Sequence, residues 1–195
     1  IETTIEAWVR AGEPMGHEAG LSRYVDGAGL GIVWSRPRGT LPAGVAGTDT
    51  GVSLAGLDEP ISWDAWHHVA LTCDGREAVL YIDGEPRGRG AAGELVYGDV
   101  PLYIGAEPNG RGDAVSMLNG EIDEVRVSSV VRYHGPFTPA RVHTRDGDTL
   151  LLMHFDTAFH GAHPDDSGRG SHGWTVGNVS VVPVSRDVGV RTGGG

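Results

Sequence analysis

A chain of 195 residues with a formal net charge of −11 has room for one sizeable hydrophobic core but not for two full domains. Its acidity repels phosphate backbones, which argues against nucleic acid as a partner, and no apolar window is long enough to span a bilayer. Cys73 is the single cysteine, so no intrachain disulfide can form. At the end of an apolar run it reads as a small buried hydrophobe.

From Ile1 to Arg10, Ile5, Ala7 and Val9 alternate with Glu6, Trp8 and Arg10, the period of two expected of a strand. The start at Ile1, without methionine or leader, reads as a processed chain or a piece of a longer one. Residues 12–20 read as a loop, followed by strands at 21–25 and 29–34 around Asp26-Gly27. Proline and glycine make 36–49 a predicted loop, and 51–57 a weak strand. The most informative stretch comes next. Trp63-Asp64-Ala65-Trp66 leads into His67-His68-Val69-Ala70-Leu71-Thr72, then Asp74-Gly75, Val79-Leu80-Tyr81-Ile82 and Asp83-Gly84. Asp-Gly supplies the positive φ of a hairpin turn, and the flanks are β-branched or aromatic. His67 and His68 point to opposite faces, so they cannot ligate one metal together. One of them is expected to pack in the core with its hydrogen bond satisfied.

Further strands are predicted at 94–104, 118–127, 150–155, 174–182 and 188–190. Residues 107–117 read as a polar loop, and 138–144 as the place for one short helical turn. Turn residues are spread through the whole chain. About a dozen short strands with turns between them predict an all-β protein, a two-sheet antiparallel β-sandwich or jelly roll.

Four blocks, in order, carry a family resemblance. Thr4-Ile5-Glu6-Ala7-Trp8-Val9 is the first, and the Trp-His-His hairpin the second. The third joins Leu102-Tyr103-Ile104-Gly105 to Leu118-Asn119-Gly120-Glu121-Ile122-Asp123-Glu124-Val125-Arg126-Val127, and the fourth is Val131-Arg132-Tyr133 with Phe137-Thr138-Pro139. Together they resemble laminin-G-like and pentraxin-like domains of the concanavalin A-like lectin and glucanase superfamily. Leu150-Leu151-Leu152-Met153-His154-Phe155-Asp156 and the glycine-rich 165–173 are similar to pieces that normally open such a domain. The single domain 1–195 is thus expected to hold its C-terminal part, from about 148, out of the usual order, by permutation or as the start of a second repeat.

The resemblance bears on chemistry in two ways. Residues 121–126 are similar to the catalytic strand of retaining glucanases, E-x-D-x-x-E or E-x-D-x-E, whose carboxylates lie roughly 5–5.5 Å apart. Val125 or Arg126 stands where the second glutamate belongs, and in a regular strand Glu124 faces away from Glu121 and Asp123. No glycosidase activity is expected. A structural calcium is also implied, with Asp123 on the last strand and Asp156 in the first-strand element as ligands. Calcium takes six to eight oxygens, which carboxylates and loop carbonyls provide.

Other residues carry less. His160 and His163 lack a zinc-site spacing and any nearby thiolate. Arg111-Gly112-Asp113 spells an adhesion tripeptide that recurs by chance. Trp8 and Trp66 read as core; Trp34 and Trp174 are less constrained and suited to stack on a sugar. The implied function is a secreted or surface-displayed recognition module for a glycan or extracellular protein. Its site would lie on loops 36–49, 107–117 and 160–172. The alternative is a self-assembling subunit of a filament, appendage or virion surface. A sandwich lacking one strand exposes an unpaired edge, which 179–184 or 188–190 would fill in cis or from a neighbour, giving oligomers.

Overall fold

The computed structural model describes residues 1–13, 16–35, 41–56 and 61–182. Among these the strands are β1 (Thr3–Ala11), β2 (His17–Ser22), β3 (Gly29–Ser35), β4 (Leu41–Thr48), β5 (Gly51–Gly56), β6 (His67–Cys73), β7 (Glu77–Ile82), β8 (Glu85–Ala91), β9 (Tyr103–Ile104), β10 (Glu107–Pro108), β11 (Ala114–Val115), β12 (Gly120–Ser128), β13 (Thr149–Met153), β14 (Ala162–His163) and β15 (Gly173–Trp174). Two antiparallel sheets dominate: a six-stranded one in the order β13-β12-β1-β6-β7-β8 and a five-stranded one in the order β5-β4-β3-β2-β9. The predicted two-sheet all-β architecture is what the chain adopts.

Alternation builds the core. Ile5, Ala7 and Val9 of β1, Val69 and Leu71 of β6, and Leu80 and Ile82 of β7 meet Leu21, Leu30, Ile32 and Trp34 of the other sheet. The other face of the six-stranded sheet is buried as well, which is why β1 carries Thr4 and Glu6 at 0% exposure. A cap formed by residues 129–148 lies over it. Tyr133 and Phe137 pack there on Ala70, Val79 and Tyr81, their two rings stacked at 3.5 Å. Tyr81 Oη donates to the Tyr133 carbonyl at 2.9 Å. Thr4 Oγ1 donates to Val130 O at 2.7 Å and accepts from Arg132 N at 3.0 Å.

The Asp83-Gly84 turn joins β7 to β8 with φ of 52° and 84°, the pair of positive values a two-residue hairpin turn requires. Only glycine fits there, because a Cβ on Gly84 would lie 1.8 Å from the Phe137 carbonyl oxygen of the cap. Asp74-Gly75 differs from expectation. It belongs to a three-residue loop in which Asp74 Oδ1 accepts from Arg76 N and Glu77 N, each at 2.8 Å.

Several predicted elements are corrected. Part of the expected loop 36–49 is β4, whose glycines and alanines are small because the sheets approach closely. A Cβ on Gly44 would meet Leu71 Cδ1 at 2.4 Å. β8 is a strand that the polar, glycine-containing 85–91 did not announce. The expected strand 94–104 shrinks to β9 and one bridge from Leu95 to Thr48. The loop 107–117 contains the short β10–β11 ladder. Residues 138–144 hold no helical turn, and 174–182 contribute only Trp174 to a ladder. The expected 188–190 strand lies outside the described residues. Trp34, expected to be less constrained and suited to stack on a sugar, is 1% exposed in the core.

An ion pair ties the two ends of the cap together. Arg132 Nη1 and Nη2 donate to the two oxygens of Asp146 at 2.9 and 2.8 Å. These bonds, with one from Thr149 Oγ1, hold the Asp146 carboxyl well below the usual carboxylate range. A lowered folded-state pKa means stabilisation that is present above the ordinary value near 3.8 and is lost as pH falls toward the lowered one. Asp146→Asn is therefore expected to lower Tm at pH 7, with the gap to wild type closing as pH drops below about 4. A gap that stays constant down to pH 2–3, roughly the acid limit of the scan, would remove Asp146 as the tie.

Candidate functional site

Two features compete as the functional site, an open cleft and a buried polar cluster. The cleft, about 2070 Å³, opens where the sheets part beyond β9 and β13. Its floor is apolar, with Leu30, Ile104, Ile122, Leu151 and Met153. Asp123, Asp156, His163 and Trp174 line it as well. Trp174 is 72% exposed, and β14–β15 hold it by pairing it with Ala162. Below this ladder Asp165 is buried and organises the glycine-rich loop. Its Oδ1 accepts from Leu152 N and Ser167 N at 3.1 and 2.9 Å, and its Oδ2 from Ser171 N at 2.9 Å. Burial opposes ionisation of Asp165, but these bonds and the Ser167 hydroxyl outweigh it and lower the pKa.

The predicted calcium ligands Asp123 and Asp156 thus line one cleft. Asp123 Oδ1 accepts from Glu124 N at 3.0 Å, and Asp156 is exposed. Of the three loops expected to form a rim, residues of 107–117 and of 160–172 reach the cleft through Ala114, Met117, His163, Ser171 and His172. Within the third expected rim loop, residues 41–48 are β4, which lies three strands away from β9. Arg111-Gly112-Asp113 is a turn pinned by its neighbours: Asp113 Oδ2 accepts from Asn109 Nδ2 at 3.1 Å and Gly112 O from Tyr103 Oη at 2.6 Å.

The buried cluster lies under the cap. Glu6 of β1, at 0% exposure, accepts from Arg126 Nε through Oε1 at 2.7 Å and from Tyr133 Oη through Oε2 at 2.6 Å. His68 Nε2 and His143 Nε2 lie 3.2 and 3.5 Å from Oε2. Burial works against the charge of Glu6, yet the surrounding His68, His143 and Arg126 hold its carboxyl at about 2. Burial also pushes His143 down to about 4, so at neutral pH Arg126 supplies the positive charge opposite Glu6. Burial and the Glu6 charge raise the Tyr133 phenol above its ordinary range.

Glu124 completes this cluster. The β1–β12 register slips between Glu6 and Trp8, and Glu124 sits there with φ of 53°. Such a bulge places two successive residues against one partner. Alternation along β12 already puts Glu124 on the side of Arg126, which pairs with Glu6, and the bulge leaves it there. Its carboxylate takes His143 N at 2.8 Å and His154 Nδ1 at 2.9 Å. The histidine pair divides differently from expectation. His67 is satisfied, by Asp83 at 2.6 Å and Ser62 at 2.9 Å. His68 is the one packed inside, and neither ring nitrogen has a hydrogen-bond partner among the described residues. Spacing could not announce His143, which the cap brings in from a distant part of the chain.

A laminin-G-type family model of the concanavalin A-like lectin/glucanases superfamily matches residues 2–134. The chain belongs to that superfamily. A candidate carbohydrate-binding protein from Bacteroides ovatus shares this concanavalin A-like fold at TM-score 0.71 and 21% identity, over 88% of this chain and 51% of its own. The heptameric SAP-like pentraxin of Limulus polyphemus superposes at TM-score 0.54 with 14% identity, over 89% of this chain and 83% of its own. Domains LG4-5 of the mouse laminin α1 chain do so at 0.52 and 15%, over 72% of this chain and 42% of theirs. This concanavalin A-like chain spans about half the length of the Bacteroides protein, and no curated protein matches it.

Proposed function

We propose that this domain is an extracellular or surface-displayed glycan-recognition module that binds without turnover, and that the cleft beside Trp174 is its binding site. The observation that carries the reading is the exposed indole of Trp174 lining a cleft with an apolar floor and polar side chains. Carbohydrate sites combine an aromatic platform with a few polar groups in this way. Burial supports binding without turnover: Glu6 and Glu124, at 0% and 1% exposure, are kept from a glycosidic oxygen, and Glu121 is paired with Arg10. Within this reading Asp123 and Asp156 supply oxygens to a structural calcium that shapes the cleft. The Bacteroides protein is consistent in kind.

A glycan array run with the full chain, with calcium and with chelator, tests this. Trp174→Ala is expected to lower affinity for the best glycan at least about tenfold, the scale of a lost stacking contact. Equal binding by Trp174→Ala and wild type, or reducing sugar released from the bound glycan, would sink the reading.

One observation favours self-assembly as a second reading. The five-stranded sheet ends at the two-residue β9, and Val176, Val179, Val181 and Val182 lie exposed along the same cleft. In this reading residues 176–182 of a neighbouring copy add a strand there, and residues from about 148 onward act as the exchanged part. Size-exclusion chromatography of the array sample separates the two, since a monomer at all concentrations leaves glycan recognition alone.

A further inference from the structure

We propose that Glu6, His68 and His143 form a buried site for a divalent transition metal of the zinc class, which pins the cap to the six-stranded sheet. Among the described residues these are the three metal-capable side chains whose ligand atoms all lie within 4.8 Å of one another. Zinc holds nitrogen and oxygen ligands at about 2.0–2.1 Å in a tetrahedron, which separates neighbouring ligand atoms by about 3.3 Å. The observed Oε2–Nε2 separations are 3.2 Å to His68 and 3.5 Å to His143.

The protonation pattern points the same way. His143 Nδ1 lies 2.8 Å from the Glu124 carbonyl oxygen, which can only accept, so Nδ1 carries the hydrogen. Nε2 of the neutral ring then presents a bare lone pair to Glu6 Oε2. Two acceptors facing each other away from water repel unless a cation lies between them. A ligating histidine whose second nitrogen is fixed by a carbonyl is the usual arrangement of a metal site. His68 adds a second sign. Its ring is 0% exposed, its Nδ1 lacks a hydrogen-bond partner among the described residues, and its Nε2 lies 3.2 Å from Glu6 Oε2 without hydrogen-bond geometry, where buried polar atoms are ordinarily satisfied.

The charges allow an ion. Arg126 binds Oε1 and leaves Oε2 to the histidines and to Tyr133 Oη, the further donor at hand. Glu124, bonded to His143 and His154, offsets Arg126. Two imidazoles and one carboxylate suit zinc or cobalt better than calcium, which prefers an all-oxygen shell. The ion would link β1 and β6 to the cap through one centre. Its role is structural, because Glu6, His68 and His143 are all buried, and it is separate from the cleft and from any calcium there.

The test uses the full chain stripped with EDTA and titrated with Co2+, Zn2+ or Ca2+. The expected result is one equivalent of Co2+ giving the visible bands of a tetrahedral site, displaced by Zn2+. At free Zn2+ a hundred times Kd, Tm should rise by about 5–10 °C, with no such rise in Ca2+. His143→Gln, with a native circular dichroism spectrum, should lose the bands. Bands that survive in His143→Gln would assign cobalt to surface histidines and overturn the proposal. So would a wild-type protein that takes up no cobalt, a result that stands whether or not the variant folds.

Discussion

Arg126→Met is expected to destabilise the metal-free protein by about 3–5 kcal/mol, the cost of leaving a buried charge without its partner. Glu6 is 0% exposed, in the middle of the six-stranded sheet, and Arg126 stands directly across from it in the β1–β12 register. The guanidinium reaches Glu6 Oε1 from both Nε and Nη2 at 2.7 Å. Nη1 also donates to Thr144 O at 3.2 Å and Nη2 to Tyr133 Oη at 3.3 Å. Methionine fills most of the volume but removes charge and donors, so the carboxylate must either ionise in an apolar setting or take up a proton. Replacing both partners is much cheaper than replacing one. Glu6→Gln combined with Arg126→Met should therefore recover most of the loss. Urea unfolding in EDTA measures the wild type and both variants. A single Arg126→Met cost below about 1 kcal/mol, the value of an ordinary exposed pair, would show that the network does not hold the sheet and cap together.

Trp34→Ala is expected to cost a similar amount, about 3–5 kcal/mol, through packing alone. Its ring is 1% exposed and closes over Gly20 of the neighbouring strand, where an added Cβ would lie 2.5 Å from Trp34 Cζ3. The glycine exists to admit the indole. Gly20→Ala by itself should thus overpack the core, at about 1–3 kcal/mol. In the Trp34→Ala background the same methyl enters a cavity and should cost nothing or stabilise. That change of sign is the signature of direct coupling, and it is read from the four midpoints of one urea series. Additive costs would mean that the two positions do not share the space described.

The hairpin from His67 to Gly84 was legible because its signals are local. Asp-Gly turns, a period of two and β-branched flanks act on neighbouring residues. The first strand was legible for the same reason. β4 and β8 were not, since their glycines and polar residues carry turn propensity. That propensity is overridden by contacts with another sheet, as Gly44 against Leu71 shows. Trp34 could not be placed for the same reason, as its burial depends on which strand faces it.

The candidate sites divide along the same line. Asp123, Asp156 and Trp174 could be singled out by residue type and resemblance, and the structure places all three on one cleft. Glu6 and His68 stood in recognisable strands, yet nothing local paired them with His143 or turned Glu124 toward it. By itself the sequence determined the two-sheet sandwich, the hairpin and the acidic exterior, because short-range turn chemistry and alternating hydrophobicity need no distant partner. Tertiary structure alone decided the buried Glu6–His68–His143 cluster and the open cleft. The first requires a folded-over cap, the second an edge where one sheet runs out of strands, and both arise only when remote segments meet.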